Sequence, residues 1–366
     1  MTYPERVLRV AHMKRSKCTT LAIHHRPGSF SDRWIEYCTE NSIRYDLVNC
    51  YDSDIIQHLR SCAAFLWHWN HYDCRARLFA RQLTYSLEAA GKLVFPNSRT
   101  CWHFDDKVGQ KYLLEAIGAP LVPSYVFYDE EEAMEWAGAT DYPKVFKLRG
   151  GAGSSNVLLV RTRSEAARLI RKAFGAGFSP INRRASLRDS ISAFHHCRTH
   201  HTARGLIGAL FRCVIPGDIE RRMGRERGYV YFQDFIPGNK HDTRVVVIGN
   251  RAFAFQREVR RNDFRASGSG STILDRKKID TEFIRLAYEV SRRLNLQSTA
   301  YDFIRDESRG PHLIEMSYAF PANGQVAKCP GHWDGNLKWH DGKMWPQDAI
   351  LEDMLAQIAV RSAEGI

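Results

Sequence analysis

Asp302 and Glu315 are acidic residues set inside two apolar runs, 297–304 and 312–316, with a charged turn between them. Folded as a hairpin, these runs place the carboxylates on adjacent strands, where they repel unless a cation lies between them. Magnesium, which prefers carboxylate oxygens, is the natural third party. Lys147 poses the opposite problem. It lies in the alternating run Val145-Phe146-Lys147-Leu148, where an ammonium needs a negative partner. That run enters a turn of small residues containing Gly150, Gly151, Gly153, Ser154 and Ser155 before a second apolar run at 157–160. Glycines let a backbone approach a ligand closely, and successive free N–H groups form a concavity for anions. The segment reads as a phosphate cover with a lysine clamp, or, taken alone, as a flexible hairpin with a snorkelling lysine. It is not a P-loop, lacking Gly-Lys-Ser/Thr, nor a dinucleotide fingerprint, because Asn156 stands where the last glycine belongs. Lys107, placed in the first turn of a helix that Asp105 and Asp106 can cap, opposes the helix dipole unless an anion binds there.

The elements that must position these groups follow from periodicity. Over residues 1–100, runs at 6–12, 19–24, 43–48, 63–69 and 94–96 read as strands and 31–41, 53–59 and 75–90 as helices, an alternation that implies a small α/β domain. The polar and aromatic cluster from Trp67 to Asp73 closes the strand at 63–69, so it is either a substrate edge or aromatic packing. A strand at 122–127 and a helix at 130–137 precede the glycine hairpin, and a helix at 164–174 follows it. Strands at 229–236, 242–248 and 252–259, a helix at 280–294 and the acidic hairpin then follow. An amphipathic helix at 346–360 closes the chain. Lysines, a glycine loop, an apolar strand able to line adenine, several arginines and paired acids are together the parts that bind Mg-ATP and stabilise phosphoryl transfer.

The chain has 366 residues and a formal net charge of +12, with 53 Lys and Arg against 41 Asp and Glu. That excess calls for an anionic partner. Much of it falls in 175–228, where Arg183, Arg184, Arg188, Arg198 and further arginines meet few acids, and where the histidine-rich run 195–201 matches no common zinc spacing. The stretch reads as a basic insertion. Nucleic acid is disfavoured, because the arginines lack interleaved aromatic residues. Nine cysteines at irregular spacing read as free thiols, and with no signal-like apolar core or 18-residue apolar window the expectation is a cytoplasmic protein with no transmembrane segment.

The order of these parts resembles the ATP-grasp superfamily, in particular its RimK-like carboxylate–amine ligases. The resemblance spans about 100–320 and rests on Phe235-Ile236 followed by the run 242–249, on Asn262-Asp263-Phe264-Arg265, and on Tyr301-Asp302-Phe303 with Ile314-Glu315-Met316-Ser317. It implies an α/β (α+β) fold with an N-terminal α/β pre-grasp domain (1–100), a central small lid with the glycine-rich loop (101–174) and a basic insertion (175–228). A C-terminal antiparallel-sheet catalytic subdomain (229–320) and an aromatic loop and helix (321–366) complete it. Residue by residue, it implies that Lys107 and Lys147 hold the ATP phosphates beneath the 150–155 loop, and that Gln233, Asp234, Phe235 and Ile236 form the adenine hinge, with Asp234 where Glu is usual. Lys240 or His241, together with Asp242, would reach the nucleotide. Arg244, Arg257 and Arg265 would hold the acyl phosphate and substrate carboxylate, and Asp302, Glu315 and Ser317 would bind Mg2+, with Mn2+ as the alternative ion. The family pattern there is Glu-x-Asn; Ser317 replaces the Asn and offers a weaker ligand. The implied activity is ATP-dependent amide formation through an acyl phosphate, on an acidic substrate such as a glycan, an acidic peptide or a carrier-linked intermediate, with an amine as co-substrate. A kinase acting on a hydroxyl and a catalytically degenerate nucleotide-binding protein are the alternatives, and a homo-oligomer is compatible with the sequence.

Overall fold

The computed structural model describes residues 20–151, 156–180, 218–259, 263–266 and 271–364, with isolated positions at 187, 191, 204–205 and 208. Gly153, Ser154, Ser155, Asn262, the run at 6–12 and the histidine-rich run 195–201 lie outside the described residues.

Three sheets organise the chain. The first is parallel, in the order β2 (Tyr45–Val48), β1 (Leu21–His24), β3 (Ala64–Trp67), β4 (Leu93–Phe95). Its central strands are buried on both faces, as a parallel sheet between helices requires. Leu21, Ile23, Ala64 and Leu66 pack against Phe30, Trp34 and Cys38 of α1 (Phe30–Glu40). Ala22, Phe65 and Trp67 meet the opposite side, where Ala76, Ala80 and Leu83 of α3 (Cys74–Ala89) lie; the short α2 (Ile55–His58) packs there as well. Asp73 starts α3 by accepting the N–H groups of Arg75 and Ala76.

The second sheet is antiparallel, in the order β5 (Ser124–Phe127), β8 (Val230–Asp234), β6 (Lys144–Lys147), β7 (Leu158–Val160). Residues 230–234, expected alongside the strands that follow them, join this sheet instead. Phe146 and Phe232 point into a core covered by α6 (Glu130–Ala139) and α7 (Arg163–Phe174), which leaves Val145, Lys147 and Gln233 on the other face.

The large sheet runs β13 (Gly310–Ser317), β12 (Ser298–Asp306), β9 (His241–Ile248), β10 (Arg251–Glu258), β14 (Gly331–Trp333), β15 (Trp339–Asp341), with β11 (Thr272–Ile273) also pairing β10. On one face Val245, Val247, Tyr301 and Phe303 pack on α9 (Thr281–Leu294). On the other, Val246, Ile248, Phe253 and Phe255 pack on α10 (Pro346–Glu364), which also touches the core of the first sheet. Gly249 permits the β9–β10 turn: its φ is +52°, and a Cβ there would sit 2.1 Å from Asp353 Oδ2. The aromatic stretch 331–341, read from sequence as a loop, forms the hairpin of β14 and β15 that ends the sheet beyond β10. Trp333 is buried there and its carbonyl accepts the Tyr288 hydroxyl at 2.8 Å. Among the described residues no helix is long and apolar enough to cross a membrane.

Candidate functional site

Strand register places five charged side chains of the large sheet on a single face. Asp302 on β12 lies opposite Glu315 on β13 and Arg244 on β9, while Asp242 on β9 lies opposite Arg257 on β10. Residues two apart on a strand share a face, so all five project together. A bulge follows at once: the register shifts after Asp302, so that Ile314 is left unpaired between Glu315 and Leu313. Arg244 grips Asp302 through Nε and Nη2, at 2.6 and 2.7 Å, and Arg257 reaches Asp302 at 2.9 Å while it also pairs with Asp242. Burial opposes ionisation of Asp302, but the two guanidiniums outweigh it and hold that carboxyl well below its usual range. At Asp242 burial wins over Arg257, and the carboxyl is pushed up to about 6.

The second sheet faces this surface across a cavity of about 290 Å³. Lys147 enters it from β6, 5% exposed, and donates to Gln233 Oε1 at 2.6 Å; Gln233 in turn donates to Ser124 Oγ at 3.0 Å. Burial lowers the Lys147 pKa to about 8. Lys107 opens α5 (Lys107–Ala116), whose cap Asp106 accepts the Gly109 N–H. Its ammonium lies 3.6 Å from Glu315 and donates to the Gly151 carbonyl at 2.9 Å. Val145, Ile236, Ile304 and Ile314 supply apolar wall, and residues 233–236 form a strand end along the same cavity. One cleft therefore joins an apolar slot, two lysines and two carboxylates, the combination that a nucleoside triphosphate with a divalent cation would fill.

Residues 210–328 match the family model of the RimK-like ATP-grasp domain. Over that stretch, about a third of the chain, the sequence carries a RimK-like ATP-grasp domain. No curated protein matches the chain. Among solved structures it is similar to a RimK domain protein of the ATP-grasp type from Sphaerobacter thermophilus, at 16% identity and a TM-score of 0.52, over 93% of this chain and 100% of that one. It is also similar to biotin carboxylase from Campylobacter jejuni (12%, TM-score 0.56, 92% of this chain and 71% of that one). D-alanine–D-alanine ligase from Bacillus anthracis is a third (11%, TM-score 0.54, 96% and 99%). At these identities the likeness is one of fold.

Lys107, Lys147, Gly151, residues 233–236, Asp242, Arg257, Arg265, Asp302 and Glu315 all line the ATP-grasp cleft. Four other expected residues do not. Arg244 stands behind Asp302; Lys240 is exposed, and its neighbour His241 lines the cleft in its place. Gly150 is turned toward Glu226 and Asp105. The Ser317 hydroxyl donates to the Ala319 carbonyl at 2.9 Å. Arg265 is held by Asp263 at 2.6 Å.

Among the described residues no three His, Cys, Asp or Glu side chains converge on a metal position. The Asp302 and Glu315 pair fits a hard cation that draws most of its oxygens from bound phosphates and water, and does not fit a cage made by protein alone.

Sequence reasoning missed Asp105. It sits at φ +55° and accepts the Gly151 N–H at 2.6 Å while binding Arg77 at 2.9 Å, so a carboxylate occupies a glycine-loop amide. The adjacent acids at 105 and 106 were visible, but only a left-handed residue separates their roles. In the cluster at the end of β3, Trp67, His68 and Trp69 are buried, with Trp69 and His68 against Tyr318. There the packing reading prevails, and burial pushes His68 down to about 3.

Proposed function

We propose that this protein is an ATP-dependent ligase that joins a carboxylate to an amine through an acyl phosphate. The observation that carries the reading is the single cleft in which Lys107 and Lys147 face Glu315 and Asp302, with Arg257 at the base. The names of its structural neighbours, a D-alanine–D-alanine ligase among them, support the same class. A carboxylate oxygen attacks the γ-phosphorus and ADP leaves; the amine nitrogen then attacks the acyl carbon, phosphate leaves and an amide forms.

Lys147, buried beneath the glycine turn, and Lys107, at a helix N-terminus, counter the triphosphate charge. Backbone groups of residues 233–236 read the base. Arg257, already fixed by Asp242, presents a guanidinium with no reorganisation toward the oxyanion of the reacting acyl group. Mg2+, or Mn2+ in its stead, would be held by Glu315 and Asp302 together with phosphate oxygens and would neutralise charge on the transferring phosphoryl group. The surplus of cationic residues supports an acidic carboxylate substrate, and the reducing-thiol reading of the cysteines supports a cytoplasmic setting.

The test is ATP turnover with paired carboxylate and amine libraries, read by product mass. Phosphate release that needs both partners, with an amide product, is expected, and Lys147→Ala should nearly abolish it. Release that needs a hydroxyl compound and no amine would replace this reading with a kinase. Full turnover in purified Lys147→Ala and Glu315→Ala proteins would remove both.

A further inference from the structure

A second cavity, of about 440 Å³, shares backbone with the nucleotide cleft: Asp106 and Arg149 line it, while Lys107 and Gly151 line the cleft. Its wall carries four arginines, Arg77, Arg149, Arg225 and Arg227, against two carboxylates, Asp106 and Glu226. Both carboxylates already have hydrogen-bond partners. Asp106 caps α5 through the Gly109 N–H at 2.9 Å, and Glu226 accepts the Tyr229 hydroxyl. Arg77 is paired with Asp105 at 2.9 Å, and the other three arginines are less well matched. Arg225 donates to the Ala176 and Gly177 carbonyls at 2.5 and 2.7 Å, which fixes the guanidinium without neutralising it. Among the described residues the side chains of Arg149 and Arg227 form no ion pair. Tyr112 and Tyr128 stand at the rim with their hydroxyls 3.1 Å apart.

The segment bearing Arg225 and Arg227 is pinned to the body of the protein. Phe178 and Glu226 exchange both backbone hydrogen bonds, at 2.8 and 2.9 Å, and the Phe178 ring packs on Phe146 at 5.1 Å. Gly177 makes the approach possible: its φ is +69°, and a Cβ would fall 2.7 Å from the Glu226 carbonyl. Arginines on a loose solvated face need no such anchoring. Here the chain fixes the backbone and leaves the charge uncompensated, the arrangement that suits a guanidinium fork awaiting an oxyanion.

We propose that this cavity binds an oxyanion-bearing small molecule, a phosphate monoester or a polycarboxylate, at a site separate from the nucleotide. Arg149, Arg225 and Arg227 are its cationic contacts, and the Tyr112 and Tyr128 hydroxyls are its donors. The site goes beyond the ligase reading and does not require it.

Calorimetric titration of the full chain with inorganic phosphate, and separately with citrate, tests the site while a non-hydrolysable ATP analogue and Mg2+ fill the first cavity. At least one probe should bind below about 10 mM, more weakly in about 0.5 M NaCl. The Arg149→Ala, Arg227→Ala double variant should lose at least about tenfold in that affinity while its affinity for the analogue changes less than about twofold. Binding of phosphate alone identifies a phosphate monoester; binding of citrate alone identifies a polycarboxylate. Arg227 is exposed, so Arg227→Glu serves as a second variant with little risk to folding and should weaken binding likewise. The proposal is overturned if neither probe binds with the first cavity filled, or if either binds equally well to the variants. Failure of the analogue to bind the wild-type chain would count against the nucleotide reading, and the same titrations would still report on this cavity.

Discussion

One face of the large sheet has two ends, built from the same strands and meeting different surroundings. At the far end of β9, Val246 and Ile248 join Phe253 and Phe255 of β10 under α10. At the near end, Asp242 and Arg244 join Arg257 and Asp302 across the cleft. Both ends are buried, yet only the first gains from burial; desolvating charges usually costs about as much as their pairing returns. A closed network of two carboxylates and two guanidiniums is therefore poor evidence of a stability device. It makes sense as a rigid support for groups facing a ligand. The apolar end should respond to truncation in stability, and the charged end chiefly in binding.

Phe253→Ala tests the first half of that contrast. Phe253 is fully buried, so its loss should cost about 3–5 kcal/mol in chemical denaturation, a cavity effect with no preference for nucleotide. A cost below about 1 kcal/mol would mean that α10 is not seated on this face. Arg244→Met acts at the other end. Asp302 keeps Arg257, so the expected stability loss is nearer 2 kcal/mol, the worth of hydrogen bonds to a charged group. Removing Arg244 should also loosen Asp302 and weaken the magnesium dependence of nucleotide binding. A variant with unchanged magnesium dependence would reduce the network to scaffolding.

Much of this layout could be read from local chemistry, and what could not be read depends on distant pairing. The Asp106 cap, the burial of Lys147 in a strand and the opposition of Asp302 to Glu315 all follow from residues within one element or one hairpin. The partner of residues 230–234 lies about a hundred residues away in the chain, and alternation is the same whichever sheet a strand joins. The bulge at Ile314 leaves no composition signal, because an apolar residue is equally at home in a regular strand. Trp67, His68 and Trp69 looked chemical by type, yet Trp67 ends a parallel strand buried on both faces, and His68 and Trp69 just beyond it pack on Tyr318. Val122, Ile304 and Ile314 line the cleft without any type-based cue, since adenine needs only apolar surface.

Lys147→Met sharpens the contrast from the ligand side. The ammonium is buried beside Gln233 with no carboxylate in direct contact among the described residues, so it should destabilise the empty fold and stabilise the nucleotide complex. Nucleotide affinity should fall at least about tenfold, about 1.4 kcal/mol, while the melting temperature of the empty protein stays level or rises. A fall in both would make Lys147 a structural residue.

The smallest effect is a pH dependence with opposite signs for stability and binding. Burial lowers the Lys147 pKa to about 8 in the empty cleft, below the ordinary lysine value. Between about 8 and that ordinary value the unfolded chain holds a proton that the folded chain has released, so this group's contribution to stability rises with pH. Nucleotide binding needs the ammonium, and phosphate charge raises its pKa in the complex, so affinity falls as pH passes 8. From pH 7.5 to 8.5 the loss should be about threefold, from one coupled proton. Lys147→Met should lose this slope, and with it the difference in sign. A wild-type slope that persists in the variant would assign the proton to another group, of which Asp242, raised to about 6, titrates too low to produce it.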